Sequence, residues 1–154
     1  MASTTTYGEV DSLDFAVYLN SKAEKMKLDV NVTKMQKWLY ICYGLYLAAY
    51  KSQLLTERPK AWKFGPVFPR VHRKQVKNKY SLKGIPLPKN ISAFEKYDEV
   101  IETVLDHFGG WTASDLVNWT HEPGRAWDAT VKQEGEFAAI DNYYILKDFE
   151  RLVD

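Results

Sequence analysis

Histidine, cysteine and carboxylate side chains are the groups in this chain that could bind a metal ion or support acid–base catalysis. His121-Glu122 begins like HExxH, a helical motif in which two histidines one turn apart bind zinc. Position 125 is arginine, however, and Pro123 forbids the helix that would place both histidines on one face. The other histidines lie far away in the sequence, and Cys42 is the single cysteine. The sequence therefore predicts neither a metal site nor a cofactor.

Motifs for nucleotide binding and serine hydrolysis are absent from the sequence, which has no G-x-x-x-x-G-K-[ST], no G-x-G-x-x-G after a strand pattern and no G-x-S-x-G. Paired acids such as Asp98-Glu99 fall on the solvent side of an amphipathic helix pattern. The segment 66–69, PVFP, spells a PxxP ligand, but its two bulky residues fit a buried helix start better than an exposed extended peptide. These observations argue against an enzyme.

Charge is unevenly distributed along the chain, although the formal net charge is only +1. Residues 58–94 contain ten Lys or Arg and no acid, whereas residues 95–154 contain fourteen acids against five bases. One interpretation is a solvated basic face that the acidic half partly neutralises. Another is a basic surface that faces an acidic partner or nucleic acid. The sequence alone leaves both interpretations open.

Composition predicts one globular domain. With 154 residues, of which 45% are hydrophobic and 14% aromatic, the chain can bury a sizeable core. The longest uncharged stretch, 38–50, has 13 residues and falls well short of the roughly 20 that a membrane helix needs. The N-terminal sequence shows no signal pattern, and a lone cysteine is typical of a reducing compartment. We therefore expect a cytoplasmic protein without membrane contact.

Hydrophobic periodicity predicts a mainly α fold: a single compact helical domain over residues 12–154, preceded by a flexible tail over residues 1–11. Helices are expected from Ser12 to about residue 27, from Thr33 along a buried central helix, over 66–77, over 92–108, from Thr112 and from Asp141. A short extended segment is expected around residues 60–65. Gly44, inside the central helix, predicts a close approach by a neighbouring backbone.

The stretch 61–70, AWKFGPVFPR, leads to a prediction about partner binding. Gly65-Pro66 is expected to turn the chain into the helix 66–77, whose valines at 67, 71 and 76 face the core. Four residues are expected to anchor that helix on the core, namely Trp62, Phe64, Val67 and Phe68. The predicted partner-binding surface consists of outward-facing basic residues and two aromatic neighbours: Phe68, Arg70, Arg73, Lys74, Lys77 and Tyr80.

Three ordered motifs resemble those of the Panacea domain, a family formerly grouped with phage-associated proteins. Residues 35–48 resemble its LQKLLYYAQGWYLA segment, residues 61–69 resemble AWKYGPVVP, and Thr120-His121 with Trp127 resembles the closing TH...W pattern. The resemblance extends from about residue 14 to residue 149. It implies a structural role for the motif residues, which are Gln36, Lys37, Leu39, Tyr40, Trp62, Gly65, Pro66, Thr120, His121 and Trp127.

The resemblance implies that the chain is an antitoxin, because Panacea-domain proteins are encoded beside toxins of unrelated kinds and neutralise them through protein contact. The expected partner is a cognate protein toxin. One alternative is a proteolysis adaptor that delivers a toxin to a protease. Another is a regulator that binds nucleic acid through the basic segment 70–83. Family members often carry an extra N-terminal DNA-binding segment. Here a short tail precedes the first predicted helix, so autonomous promoter binding is not expected.

Overall fold

The computed structural model describes residues 8–153 of the chain. This part is built from seven α-helices, one 3-10 helix and one two-stranded hairpin, which confirms the prediction of a mainly helical fold with a short extended segment. In chain order the elements are α1 Ser12–Lys25, α2 Val32–Tyr50, β1 Lys60–Trp62, β2 Gly65–Val67, α3 Pro69–Lys77, the 3-10 helix Ile91–Tyr97, α4 Asp98–Phe108, α5 Ala113–Thr120, α6 Ala126–Glu134 and α7 Asn142–Glu150. No helix within residues 8–153 combines the length and the apolar character of a membrane span.

Helix α2 is the centre of the fold, as its sequence predicts. Apolar residues cover most of its sides, so it packs against α1, α4, α5, α7 and the hairpin at once. Trp38 on this helix is fully buried, and its indole donates a hydrogen bond to the carbonyl oxygen of Phe108 at 3.3 Å. The polar atom of the ring is therefore satisfied inside the core.

Gly44 is a contact point between α2 and α7. A Cβ atom at position 44 would lie 2.2 Å from the ring of Phe149, so the glycine makes room for that aromatic side chain. The predicted close approach at Gly44 is therefore present, but the neighbour is a side chain and not the predicted backbone. Phe149 also contacts Tyr40 edge to face, with the ring centroids 5.6 Å apart.

Two helix starts follow the predicted capping chemistry. Asp141 caps α7, and Thr112 with Asp115 forms the reciprocal capping box that opens α5. The single helix predicted over 92–108 is divided, because the chain runs as a 3-10 helix up to Tyr97 before α4 begins.

Two other helix starts differ from the prediction by one or two residues. The side chain of Asp11 caps α1 in place of Ser12, and the side chain of Asn31 caps α2 in place of Thr33. Each cap accepts a hydrogen bond from the backbone amide three residues further on, at 3.0 Å in α1 and at 2.8 Å in α2. Asp and Asn cap at least as well as Ser and Thr, so the earlier residue serves as the cap in both cases.

The hairpin is short, and a third extended segment from a distant part of the chain pairs with it. β1 pairs antiparallel with β2, and Lys60 of β1 also lies opposite Ala139 in an isolated antiparallel bridge. The amide of Phe137 donates to the carbonyl oxygen of Ala61 at 2.7 Å, which fixes residues 137–139 beside β1. This pairing joins distant parts of the chain, so no local pattern in the sequence predicts it.

Helix α3 starts at Pro69, whereas the sequence predicts a start at Pro66. The residues Gly65–Val67 form β2 instead. Gly65 has a positive φ of 109°, which glycine adopts without strain, and Pro66 lies opposite Ala61 in the sheet. Pro69 then occupies the first turn of α3, where its missing N–H is harmless.

Residues 9–11 pack against the domain, although the sequence predicts a flexible tail over residues 1–11. The amides of Glu9 and Val10 both donate to the carbonyl oxygen of Leu54, and Val10 is buried. The carboxylate of Glu9 also accepts hydrogen bonds from the hydroxyls of Tyr46 and Tyr97. These contacts include residues 9–11 in the folded domain, whereas residues 1–7 of the predicted tail lie outside the described part of the chain.

Candidate partner-binding site

Residues from the three sequence motifs meet inside the fold, in a cluster that we call the motif junction. Helix α2 contributes two residues and the hairpin contributes three. The other three lie at the end of α5, at the residue that caps α5, and on α6. The members are Gln36, Lys37, Trp62, Gly65, Pro66, Thr120, His121 and Trp127. Motif residues that are far apart in the sequence are thus neighbours in space.

Lys37 is the buried charge of the motif junction. Lys37 is 1% exposed, and its Nζ donates a hydrogen bond to the carbonyl oxygen of Pro66 at 3.1 Å. Gly65 leaves room for this side chain, since a Cβ atom there would lie 2.7 Å from Cε of Lys37 and 2.7 Å from Oγ1 of Thr120. Burial removes water from the ammonium group and lowers the pKa of Lys37 from 10.5 to about 7. Lys37 therefore titrates near neutral pH.

Gln36 connects α2 to the start of α3. Its side-chain oxygen accepts a hydrogen bond from the amide of Phe68 at 2.8 Å, and its side-chain nitrogen donates to Oε1 of Gln75 at 3.1 Å. Phe68 is the N-cap residue of α3, which has no side-chain cap of its own. Gln36 thus satisfies a buried amide at the beginning of α3 and fixes that helix against α2.

His121 and Trp127 form an aromatic stack at the edge of the motif junction. Their rings are nearly parallel, with an interplanar angle of 13° and the centroids 3.7 Å apart. The indole Nε1 of Trp127 donates to the carbonyl oxygen of Trp62 at 2.7 Å, which connects the stack to β1. Among the described residues, Nε2 of His121 is buried without a hydrogen-bond partner. The pKa of His121 is lowered, first by burial and then by the charge of Lys37, so its imidazole is mostly neutral at pH 7.

The remaining motif residues lie around this junction. Thr120 is buried, and its hydroxyl donates to the carbonyl oxygen of Val117 in its own helix at 2.8 Å. Leu39 and Tyr40 lie further along α2 in the hydrophobic core, where Tyr40 meets α7. These residues face the interior, so a partner cannot reach them without opening the fold.

A surface cavity of about 290 Å³, which we call the aromatic groove, opens beside the motif junction. Its walls include Trp62, Phe64, His72 and Phe137, and Lys37 of the junction contributes to its lining. The ring of Trp62 contacts His72 and Phe137 edge to face, with centroid distances of 5.0 and 6.0 Å. The motif junction thus lies directly behind this cavity.

Two phenylalanines in the aromatic groove are largely exposed to solvent. Phe64 is 62% exposed and Phe137 is 61% exposed. The prediction that Phe64 anchors the core is wrong, because Lys63 and Phe64 form the turn between β1 and β2 and hold the ring at the tip. Phe137 is absent from the sequence prediction, and its only signal there is Gly135, a turn residue two positions earlier.

The partner-binding surface predicted on α3 is only partly accessible. Phe68 is fully buried, with its ring against Tyr43 at a centroid distance of 5.6 Å. This confirms its predicted place in the core, and its prediction as an exposed partner-binding residue is wrong. The late start of α3 explains this result, because Phe68 precedes the helix and its side chain enters the core. Arg73, Lys77 and Tyr80 are exposed, and Lys74 is half-buried.

Arg70 is exposed but is paired within the chain. Its Nε lies 2.8 Å from Oδ1 of Asp11, and its backbone amide donates to Oε2 of Glu57 at 3.3 Å. The helix phase also differs from the prediction at Val76, which is 41% exposed because Gln75 takes the inward position. The basic face of α3 is therefore narrower than the sequence predicts.

Within residues 8–153, no three His, Cys, Asp or Glu side chains come together as ligands for a metal ion. The thiol of Cys42 is buried in the core, and burial raises its pKa. Such a thiol is a poor nucleophile, because the thiolate is the reactive form.

Known proteins match this chain over the region of the motif junction. Residues 35–128 match the family model described as "Antitoxin SocA-like, Panacea domain". The chain is also similar to Antitoxin SocA of Caulobacter vibrioides (strain NA1000 / CB15N), with 31% identity over 137 residues, covering 82% of this chain and 73% of that protein. No solved structure gives a significant match. The family match includes every motif residue of the junction.

Proposed function

The chain belongs to the Panacea-domain family of SocA-like antitoxins, and we propose that it neutralises a cognate protein toxin, encoded beside it, by binding that toxin directly. The observation that carries the proposal is the family match, which spans the three motifs that form the junction. Membership in an antitoxin family implies a toxin partner in general. The name of the similar Caulobacter protein, an antitoxin, supports the same role.

The surface beside the motif junction supports binding rather than catalysis. The aromatic groove offers rings on a hydrogen-bonded hairpin, and rigid aromatic side chains contact partners at a small entropic cost. Lys37 has a shifted pKa, but its ammonium is already bonded to the Pro66 carbonyl. We therefore propose a non-enzymatic protein. We also propose that it acts in the cytoplasm, which agrees with a single, buried and unpaired thiol.

The experiment that tests this proposal is expression of the neighbouring reading frame alone and together with this chain. We expect the neighbour to arrest growth when expressed alone, and this chain to restore growth when co-expressed. We also expect the two proteins to co-purify and to elute together in gel filtration. A harmless neighbour, together with the absence of a complex in gel filtration, would show that the antitoxin proposal is wrong.

Delivery of the toxin to a protease is the main alternative to direct neutralisation, and the amount of toxin separates the two. A blocked toxin accumulates in the complex, whereas a delivered toxin disappears unless the protease is deleted. Immunoblotting of a tagged neighbour in rescued cells measures this difference. A nucleic-acid-binding role through residues 70–83 has weaker support, because Arg70 is already paired with Asp11 and would have to exchange partners.

A further inference from the structure

We propose that the aromatic groove is the surface on which the toxin docks, and that it receives a bulky apolar side chain of the toxin flanked by a carboxylate. This inference rests on the proposed function, since it names the site through which the antitoxin acts. Its main elements are the exposed rings of Phe64 and Phe137, the half-buried ring of Trp62 on β1, and the exposed amine of Lys63.

The backbone at Phe137 is the first argument. Phe137 has a φ of 71°, a conformation that is strained for a bulky residue and is usually taken by Gly or Asn. The hydrogen bond from its backbone amide to the carbonyl oxygen of Ala61 holds it there, while its ring remains 61% exposed. The fold thus maintains a strained residue and places a large apolar ring in water, and neither feature stabilises the free protein. Strain of this kind concentrates at functional sites.

The arrangement of rings is the second argument. Trp62 contacts both Phe137 and His72, so three side chains from separate segments form one continuous wall. Because the hairpin and the segment after α6 are hydrogen-bonded together, this wall is formed before a partner arrives. Preformed aromatic pockets at the centre of an interface are where binding energy concentrates. Phe64 at the hairpin tip extends the wall outward.

Volume and charge indicate what kind of group fits. The groove measures about 290 Å³, just below the roughly 300–1,000 Å³ of small-molecule sites, and this size suits one large side chain. Lys63 is the exposed charged residue of the lining, and no acid lines the groove. Lys37 also contributes to the lining, but it is buried and its Nζ is bonded to the carbonyl oxygen of Pro66. Nζ of Lys63 lies 5.6 Å from the centroid of the Phe64 ring, beside the apolar wall. An anchor residue with a neighbouring Asp or Glu is therefore complementary to this surface.

The test uses the full chain and the product of the neighbouring toxin gene, with affinity measured by calorimetry. Phe64→Ala and Phe137→Asn remove the two exposed rings, and Asn tolerates the positive φ at position 137. We expect each variant to melt close to the wild type and to bind the toxin about tenfold or more weakly, as for hot-spot residues. Tyr143→Ala is the matched control, because Tyr143 is 59% exposed on α7 and lies outside the groove. It should bind the toxin like the wild type.

Lys63→Glu tests the expected charge of the toxin segment. We expect weaker binding, and we expect the wild-type affinity to fall with added salt more steeply than that of Lys63→Glu. Full affinity in Lys63→Glu, with weak binding in Phe64→Ala, would retain the groove but overturn the carboxylate.

Other outcomes overturn the groove itself. Full toxin affinity in well-folded Phe64→Ala and Phe137→Asn would exclude the groove, although the wild-type complex would still support an antitoxin. Tyr80 is a second exposed aromatic residue with a positive φ, 65°, so Tyr80→Asn is the same kind of substitution as Phe137→Asn. Loss of toxin binding in Tyr80→Asn alone would move docking to the end of α3. If the free wild type is a dimer that these groove variants dissociate, the groove binds a second copy of the chain. Absence of any wild-type complex would defeat both proposals.

Discussion

The indole Nε1 of Trp127 and the carbonyl oxygen of Trp62 are joined by a hydrogen bond of 2.7 Å. This bond connects α6 to the end of β1, and it positions the backbone that leads into the hairpin turn. Because Trp62 is also a wall of the aromatic groove, the same contact supports both the interior junction and the proposed docking surface. Trp127 itself does not line the groove, but a substitution at Trp127 should therefore alter the groove through Trp62.

Trp127→Phe should lower the melting temperature by the loss of this hydrogen bond. The carbonyl of Trp62 loses its donor, which costs about 1 kcal/mol of unfolding free energy, while a ring still stacks on His121. Trp127→Ala also removes the stack, but it should cost less than the roughly 3–5 kcal/mol of a fully buried tryptophan because Trp127 is half-buried. Urea unfolding measures both changes. Trp111→Phe is the control, and an equal loss there would mean that the Trp62 bond is not the cause.

Lys37→Met should remove a pH dependence of stability between pH 7 and pH 9. In the folded state the pKa of Lys37 is about 7, against 10.5 in the unfolded chain, so the unfolded chain binds more protons above pH 7. The wild type should therefore gain stability as the pH rises, by roughly 1–2 kcal/mol over this range after allowance for local relaxation. The Met variant should lack this gain.

Urea unfolding at pH 7 and pH 9 measures the Lys37 effect as a difference between the two proteins. Burial raises the pKa of Cys42, which lowers stability as the pH rises, but this contribution is common to both proteins and cancels. Equal pH dependence in wild type and Lys37→Met would contradict the prediction.

Gly65→Ala should destabilise the protein more than Gly84→Ala. Both glycines have a positive φ, 109° at Gly65 and 83° at Gly84, so both substitutions introduce backbone strain. Only the Cβ at position 65 would collide with Lys37 and Thr120, since nothing lies within 4 Å of a Cβ at position 84. We expect an additional cost of about 1–3 kcal/mol at position 65 from this overlap. Thermal unfolding of the two variants provides the comparison, and equal melting temperatures would show that Lys37 moves aside freely.

Arg70→Glu should destabilise the fold, whereas Arg73→Glu should not. Arg70 is paired with Asp11 and lies beside Glu57, so a carboxylate at position 70 would meet two acids and cost about 1 kcal/mol. Arg73 is exposed, and its reversal should stay within about 0.5 kcal/mol. The melting curves of the two single variants measure this. Equal melting temperatures at low salt would mean that the pair with Asp11 contributes nothing.

The sequence predicts the features of this fold that depend on neighbouring residues. The cap at Asp141 and the box of Thr112 with Asp115 follow from side chains that reach their own helix, and both were predicted correctly. The buried centre at α2 follows in the same way from apolar residues on most of its sides. These features need no information about distant segments.

Residues 61–70 could not be placed from the sequence because long-range contacts determine their structure. A helix starting at Pro66 would turn Phe68 outward, and a buried hairpin strand would turn Phe64 inward. The chain does the reverse at both positions, because Gln36 holds the amide of Phe68 and Lys37 holds the carbonyl of Pro66. Both contacts come from α2, about thirty residues earlier in the chain.

The candidate site could be predicted only in part for the same reason. The motif residues of the junction were found because a family resemblance marks them. The groove needs Phe137 beside Trp62, and that neighbourhood exists only after residues 137–139 pair with β1. The exposure of these side chains could not be predicted from residue type. Phe64 and Phe68 are both phenylalanines, but the first lies in the hairpin turn and is exposed, whereas the second precedes α3 and is buried.

The place that Gly44 leaves for Phe149 has a consequence for protein synthesis. Phe149 belongs to α7, so α2 lacks one of its walls until the ribosome has translated residues 142–150. A nascent chain that stops earlier presents this apolar side of α2 to chaperones and proteases. A frameshift or nonsense mutation after codon 128 would spare every motif of the family and yet leave a product that cannot close its core. Under the proposed function, a cell with such an allele is as exposed to its toxin as one in which the gene is deleted.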